Sequence, residues 1–119
     1  MDYISWSQAV VTKLVNNGFE SALVHKVFDE AGPALRSEFE KGEFNSAGAH
    51  FVTILRKYDL DLEIAWERGQ GRLVQDLGRA YQINQEEAHE RLTRGFKKRV
   101  LILGWFRGED VDLTQSANF

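Results

Sequence analysis

Between Asn84 and Leu103 the apolar residues Ala88, Leu92, Phe96 and Val100 return every four positions, and Leu103 extends the row. Residues three or four apart share one side of an α-helix, so this spacing describes a helix with a continuous apolar stripe. Glu87, Arg91, Arg94 and Lys98 fall on the opposite side. A helix this long and this clearly two-sided has to bury its stripe against other elements. No stretch of the chain sustains the period-two alternation of a half-buried strand. The expected fold is therefore all-α: a compact bundle of five or six helices, closing with a long amphipathic helix over about residues 84–106. Asn84 with Glu87 three positions on marks its start, because an Asn side chain can accept a free N–H of the first turn.

The rest of the chain supplies the partners for that stripe. Ser5 and Gln8 fit a capping box opening a first helix, with Trp6, Val10 and Leu14 inward. Asn16, Asn17 and Gly18 end it, since glycine takes the left-handed C′ position without steric cost. A second helix is expected over about Glu20 to Ala31, carrying Leu23, Val27, Val24 and Phe28. Pro33 clashes with a continuing helix but suits the first turn of a new one, so Ala34 to Lys41 is expected as a separate short helix. Asn45 or Ser46 is expected to cap the next helix, with Phe51, Ile54, Leu55 and Tyr58 on one side. Asp59 to Asp61 reads as a turn and a fresh cap. A helix from about Leu62 to Tyr81 follows, either continuous or interrupted at Gly69 and Gly71 into two shorter helices, because each mid-helix glycine costs about 1 kcal/mol against alanine. Val100 to Phe106 is more apolar than one helix face requires, which suits either a buried helix end or a short strand. Residues 1–108 form one expected helical domain and 109–119 a polar tail, in which Phe119 is a candidate to dock.

Composition narrows the functional classes. A chain of 119 residues with 43% hydrophobic content suits one domain with its own core. It has no cysteine, which excludes a disulfide framework, a thiolate zinc site and a cysteine nucleophile. Met1 and Asp2 are followed by neither a basic nor an apolar leader, and the run Val100 to Leu103 is far shorter than the roughly 20 apolar residues of a membrane span. A soluble, cytoplasmic protein without membrane contact is the expectation. The net charge of −3 gives no general support for nucleic acid. The charge is unevenly placed, however. From Arg91 to Arg107 the chain carries Arg91, Arg94, Lys97, Lys98, Arg99 and Arg107 and no acid.

The stretch "LGRAYQINQEEAHERL", Leu77 to Leu92, places Leu77, Tyr81 and Ile83 around a turn, with Ala88 as a small packed residue beyond it. In this it resembles a DNA-binding helix-turn-helix. The resemblance implies a regulator that reads DNA with residues 73–99, using Arg91, Arg94, Lys97, Lys98 and Arg99. It departs at the turn, where glycine is common and Gln82 stands here. It departs also in its charges. Recognition helices put their first turns against base edges, and here those turns carry Glu86, Glu87 and Glu90. A plain corner between packed helices accounts for the same residues. Acids at a helix N-terminus and bases further along both suit the helix dipole, and Glu87–Arg91 and Glu90–Arg94 are i, i+4 pairs in the favoured order.

Other candidates for chemistry are weak. Asp59, Asp61 and Glu63 space three carboxylates two apart, but an EF-hand loop would need glycine where Ile64 stands and a glutamate where Gln70 stands. His89, Glu90 and Arg91 lack the second histidine of a zinc-protease motif, since Thr93 stands there. Arg68 to Arg72 ("RGQGR") lacks the lysine and hydroxyl of a phosphate loop. A helical enzyme would need a pocket lined by two of His25, His50, Asp59 and Asp61. The expectation is a protein without catalytic activity, cofactor or metal. It acts by contact with another protein as an adaptor, inhibitor or regulatory subunit, with a homodimer as one form of that contact. Trp with Arg is frequent at the centre of such interfaces. The expected contact residues are Arg91, Arg94, Lys98, Trp105, Phe106 and Arg107.

Overall fold

A computed structural model of the chain describes residues 1–67 and 73–109. The described residues fold into six helices with no strand: α1 Tyr3–Asn16, α2 Ser21–Glu40, α3 Phe44–Leu55, α4 Leu60–Trp66, α5 Leu73–Tyr81 and α6 Gln85–Phe106. The glycines of "RGQGR" and the residues from Asp110 to Phe119 lie outside the described residues, and with them the expected phosphate-loop comparison, most of the polar tail and the docking of Phe119. No helix among the described residues is long and apolar enough to cross a membrane.

Three boundaries differ from the sequence expectation, and one expected helix is divided. The first helix begins two residues before Ser5, because Asp2 caps it: Ser5 N–H donates to the Asp2 carboxylate at 2.8 Å. Pro33 does not end the second helix. It sits on the exposed side of α2, where water can satisfy the carbonyl that loses its partner, while Val24, Val27, Ala31 and Leu35 run as one buried stripe past it. Burial of that stripe outweighs a proline cost of about 3 kcal/mol. The third helix opens at Phe44 rather than at Asn45 or Ser46, with Glu43 preceding it and no side-chain cap. The helix expected over about Leu62 to Tyr81, with Gly69 and Gly71 as its candidate interruption, is two helices: α4 closes at Trp66 and α5 opens at Leu73.

Other expectations hold. Asp59 caps α4 through Leu62 N–H at 3.1 Å, and Asn84 caps α6 through Glu87 N–H at 2.9 Å. Gly18 closes α1 with φ +97°, and Phe19 N–H returns to Leu14 O in the double-bonded glycine cap. Val100 to Phe106 is the buried end of α6, not a strand.

α6 joins two apolar clusters. The larger holds Trp6, Val10 and Leu14 of α1, the α2 stripe, Phe51, Val52 and Leu55 of α3, and Leu101, Ile102, Trp105 and Phe106 of α6. Trp6 Nε1 donates to Phe106 O at 3.3 Å, tying the first helix to the last. The smaller cluster is Ile64, Leu77, Ala88 and Leu92, with Val74 and Ile83 against it. Between the clusters α6 crosses α4 at Gly95, where an added Cβ would lie 2.6 Å from Asp61 O. Glycine is needed there because backbone meets backbone.

Candidate functional site

The basic residues of α6 separate into committed and uncommitted charges. The Arg91 guanidinium stacks on the Tyr81 ring at 4.1 Å and reaches Glu87 at 3.7 Å. Arg99 stacks on Trp66 at 4.4 Å. The Nε atoms of both are buried and lack a hydrogen-bond partner among the described residues, so ring contact is what holds these groups. Lys98 faces the Asp59 carboxylate at 3.6 Å and the Phe19 ring at 5.3 Å. Arg107 bonds Glu109 at 2.9 and 3.1 Å and Asn45 at 3.1 Å. Arg94 is exposed and Lys97 half-buried, and neither carries a hydrogen bond or ion pair among the described residues. The expected Glu90–Arg94 pair is not formed among them; Glu87–Arg91 is, loosely.

Trp105 and Phe106 are placed differently from the interface expectation. They are 4% and 0% exposed, enclosed by α1, α2 and α3. The reason is their position at the end of the helix that three others surround. Phe106 packs on Trp6, Phe28 and Phe51 at centroid distances of 5.2, 6.2 and 5.2 Å. The end of α6 that carries them is thus covered by the chain's own helices.

Beside Arg94 and Lys97 lies a recess of about 150 Å³, lined by Asn17, Phe19, Arg94, Lys97, Lys98 and Leu101. Asn17 and Phe19 come from the corner between α1 and α2, where the Gly18 turn aims Phe19 back at the bundle. Sequence reasoning missed both. The glycine cap signals that the residue after it packs on its own helix, but nothing local says that it also meets α6.

The corner between α5 and α6 is built around Gln82, whose φ is +54°. Ile83 N–H donates to Gly78 O at 3.1 Å across it. A Cβ on Gly78 would stand 3.3 Å from Ile83 O, so the turn closes tightly on a glycine one helix turn earlier. Gln82 thus adopts the left-handed conformation that glycine commonly supplies in a helix-turn-helix, and the corner is sharp without one. Beyond it, Glu86, Glu87, His89 and Glu90 all stand exposed on the first turns of α6. Tyr81 titrates above an ordinary tyrosine. Burial favours its neutral phenol, and the negative charges of Asp61 and Asp59 add to the effect.

No three His, Asp or Glu side chains among the described residues are grouped as a metal site. The groove between α1 and α2 is lined by Tyr3, Gln8, His25 and Asp29 among others, and His25 is the one member there of the set His25, His50, Asp59 and Asp61. Its Nδ1 is held by Ser21 O at 2.7 Å. Comparison of the chain with protein-family models, curated proteins and solved structures gave no match.

Proposed function

We propose that this protein is a non-enzymatic binding protein, an adaptor, inhibitor or regulatory subunit, that acts by contact with another protein through the basic side of α6. The observation that carries the reading is the pair Arg94 and Lys97. They stand without an ion-pair partner among the described residues, beside an apolar recess, while Arg91, Lys98, Arg99 and Arg107 are engaged within the chain. Exposed like charges steer a partner of opposite sign and set its register. Relative to the sequence expectation, the contact surface loses Trp105 and Phe106 and gains Lys97. The test is capture of binding partners by the wild-type chain and by the double variant Arg94→Glu/Lys97→Glu. Partners are expected to be lost with the variant while its melting changes by no more than about 0.5 kcal/mol. Equal capture by both proteins refutes the reading.

A DNA-binding regulator is the second reading, and the left-handed Gln82 turn favours it. Against it stand the exposed acids on the first turns of α6, which repel phosphate. Duplex binding that resists physiological salt would make it the better account.

A further inference from the structure

We infer that the recess between the α1–α2 corner and α6 seats an apolar side chain carried by an acidic segment of a partner protein. This rests on the protein-contact reading above and narrows it to one docking mode. The size of the recess, about 150 Å³, suits a single side chain. Its floor is Phe19 and Leu101, and its walls are Arg94, Lys97 and Lys98, whose stems are apolar beneath their charged heads. Asn17 is the one neutral polar residue in the lining. A free phosphate would meet cations at the rim and apolar surface below them. A nucleic-acid backbone would use the rim and leave the floor empty. An acidic segment with one apolar anchor uses both.

Charge complementarity sets the sign of the occupant. Arg94 and Lys97 have no counter-charge among the described residues, and the carboxylate facing Lys98 is 3.6 Å away, on the far edge of an ion pair. The apolar floor sets the anchor, since a purely acidic peptide would leave it in contact with water. The site is already formed in the free protein, because Phe19 and Leu101 belong to the larger cluster and hold their places without a ligand.

The test is fluorescence anisotropy with two labelled poly-glutamate peptides, one carrying a single central leucine and the other a serine in its place. The leucine peptide is expected to bind about tenfold more tightly than the serine peptide. Both are expected to weaken sharply with Arg94→Glu/Lys97→Glu and with added salt. Substituting Phe19 or Leu101 risks the core, so the recess is blocked from outside by Asn17→Phe. Asn17 is exposed and its φ of −101° is open to any residue. That variant also removes the Asn17 Nδ2 bond to Lys13 O (2.7 Å) at the end of α1, so it is expected to stay folded with a small loss of melting temperature and to bind both peptides alike, at the serine level. A leucine preference that survives Asn17→Phe overturns the inference. So does equal binding of the two peptides to the wild type, which leaves the basic side of α6 as a contact surface without an anchor site. If neither peptide binds but charge reversal still abolishes partner capture, the docking mode fails and the protein-contact reading survives. If neither binds and capture is unaffected, both fail. Displacement of the leucine peptide by duplex DNA at physiological salt assigns the surface to nucleic acid and overturns the inference.

Discussion

The two ends of α6 live in different surroundings. At its C-terminal end Leu101, Ile102, Trp105 and Phe106 are enclosed by α1, α2 and α3, in a cluster of eighteen buried residues among those described. At its N-terminal end only Ala88 and Leu92 are buried, in a cluster of four with Ile64 and Leu77. The end richest in interface-type residues is the one committed to the core. The middle of the same helix, modest in sequence, keeps Arg94 and Lys97 without an ion-pair partner among the described residues, beside an apolar recess. Tryptophan and arginine together therefore do not mark a surface. What decides is how many other helices converge on that stretch of α6. The contrast is also energetic. A fully buried aliphatic or aromatic side chain contributes about 1.5–3 kcal/mol, so the four-residue cluster holds α5 far less firmly than the larger one holds α1 to α3. Amides of α5 are expected to exchange through local opening, and those of α1, α2 and α3 only through global unfolding.

The largest test of that contrast is Phe106→Ala, expected to destabilise the whole bundle by about 3–5 kcal/mol in a denaturant melt. A loss under about 1 kcal/mol would mean that the C-terminal end of α6 is not core. Gly95→Ala comes next. Alanine is the better helix former, yet its Cβ would be driven against Asp61 O. A net loss of about 1–3 kcal/mol is expected, with exchange rising first in α4 and α5. A gain in stability would show that α4 and α6 do not cross closely. Gln82→Gly should act in the opposite direction. Relieving a left-handed non-glycine residue removes a cost of about 1–2 kcal/mol, partly offset by the greater freedom of an unfolded glycine. The expected result is a small rise in melting temperature with slower exchange in α5 alone.

Acid titration gives the smallest expected effect and belongs to the larger half. Glu30 accepts from Lys57 Nζ at 2.9 Å and from Tyr58 Oη at 2.8 Å. The Lys57 bond, then the Tyr58 bond, holds its carboxyl below the usual glutamate range. Its contribution is therefore complete above the unfolded glutamate pKa and is lost as pH falls through the lowered folded value. Glu30→Gln should flatten stability in that acid window, and it should also weaken the alkaline dependence carried by Lys57 and Tyr58, which the Glu30 carboxylate holds above their ordinary ranges. On the alkaline side Tyr81 is raised, so the contribution of its neutral phenol is complete below the unfolded tyrosine pKa and lost as pH climbs through the folded one. Chemical-shift titration of Glu30 and Tyr81 checks both directions.

Much of this fold is written locally. Asn84 and Asp59 announce their helices because a cap is decided within three residues, and Gly18 announces an end for the same reason. Pro33 misleads because its cost is local while the burial of Ala31 and Leu35 that overrides it comes from other helices. The candidate site is the least legible part. Arg94 and Lys97 are visible in the sequence as basic residues. Their freedom is not, since it depends on Tyr81, Trp66 and Asp59 engaging Arg91, Arg99 and Lys98 instead. Phe19 is separated from Leu101 by most of the chain, and only the folded bundle brings them to one recess.

The most direct test of the proposed role is fluorescence anisotropy of a labelled mixed-sequence DNA duplex titrated with the protein at low and at physiological salt. The account predicts weak, sequence-blind binding that disappears at physiological salt, because the first turns of α6 present Glu86, Glu87 and Glu90 to any phosphate backbone. Submicromolar binding that persists at physiological salt would contradict it, and would make the Gln82 corner a DNA-reading turn.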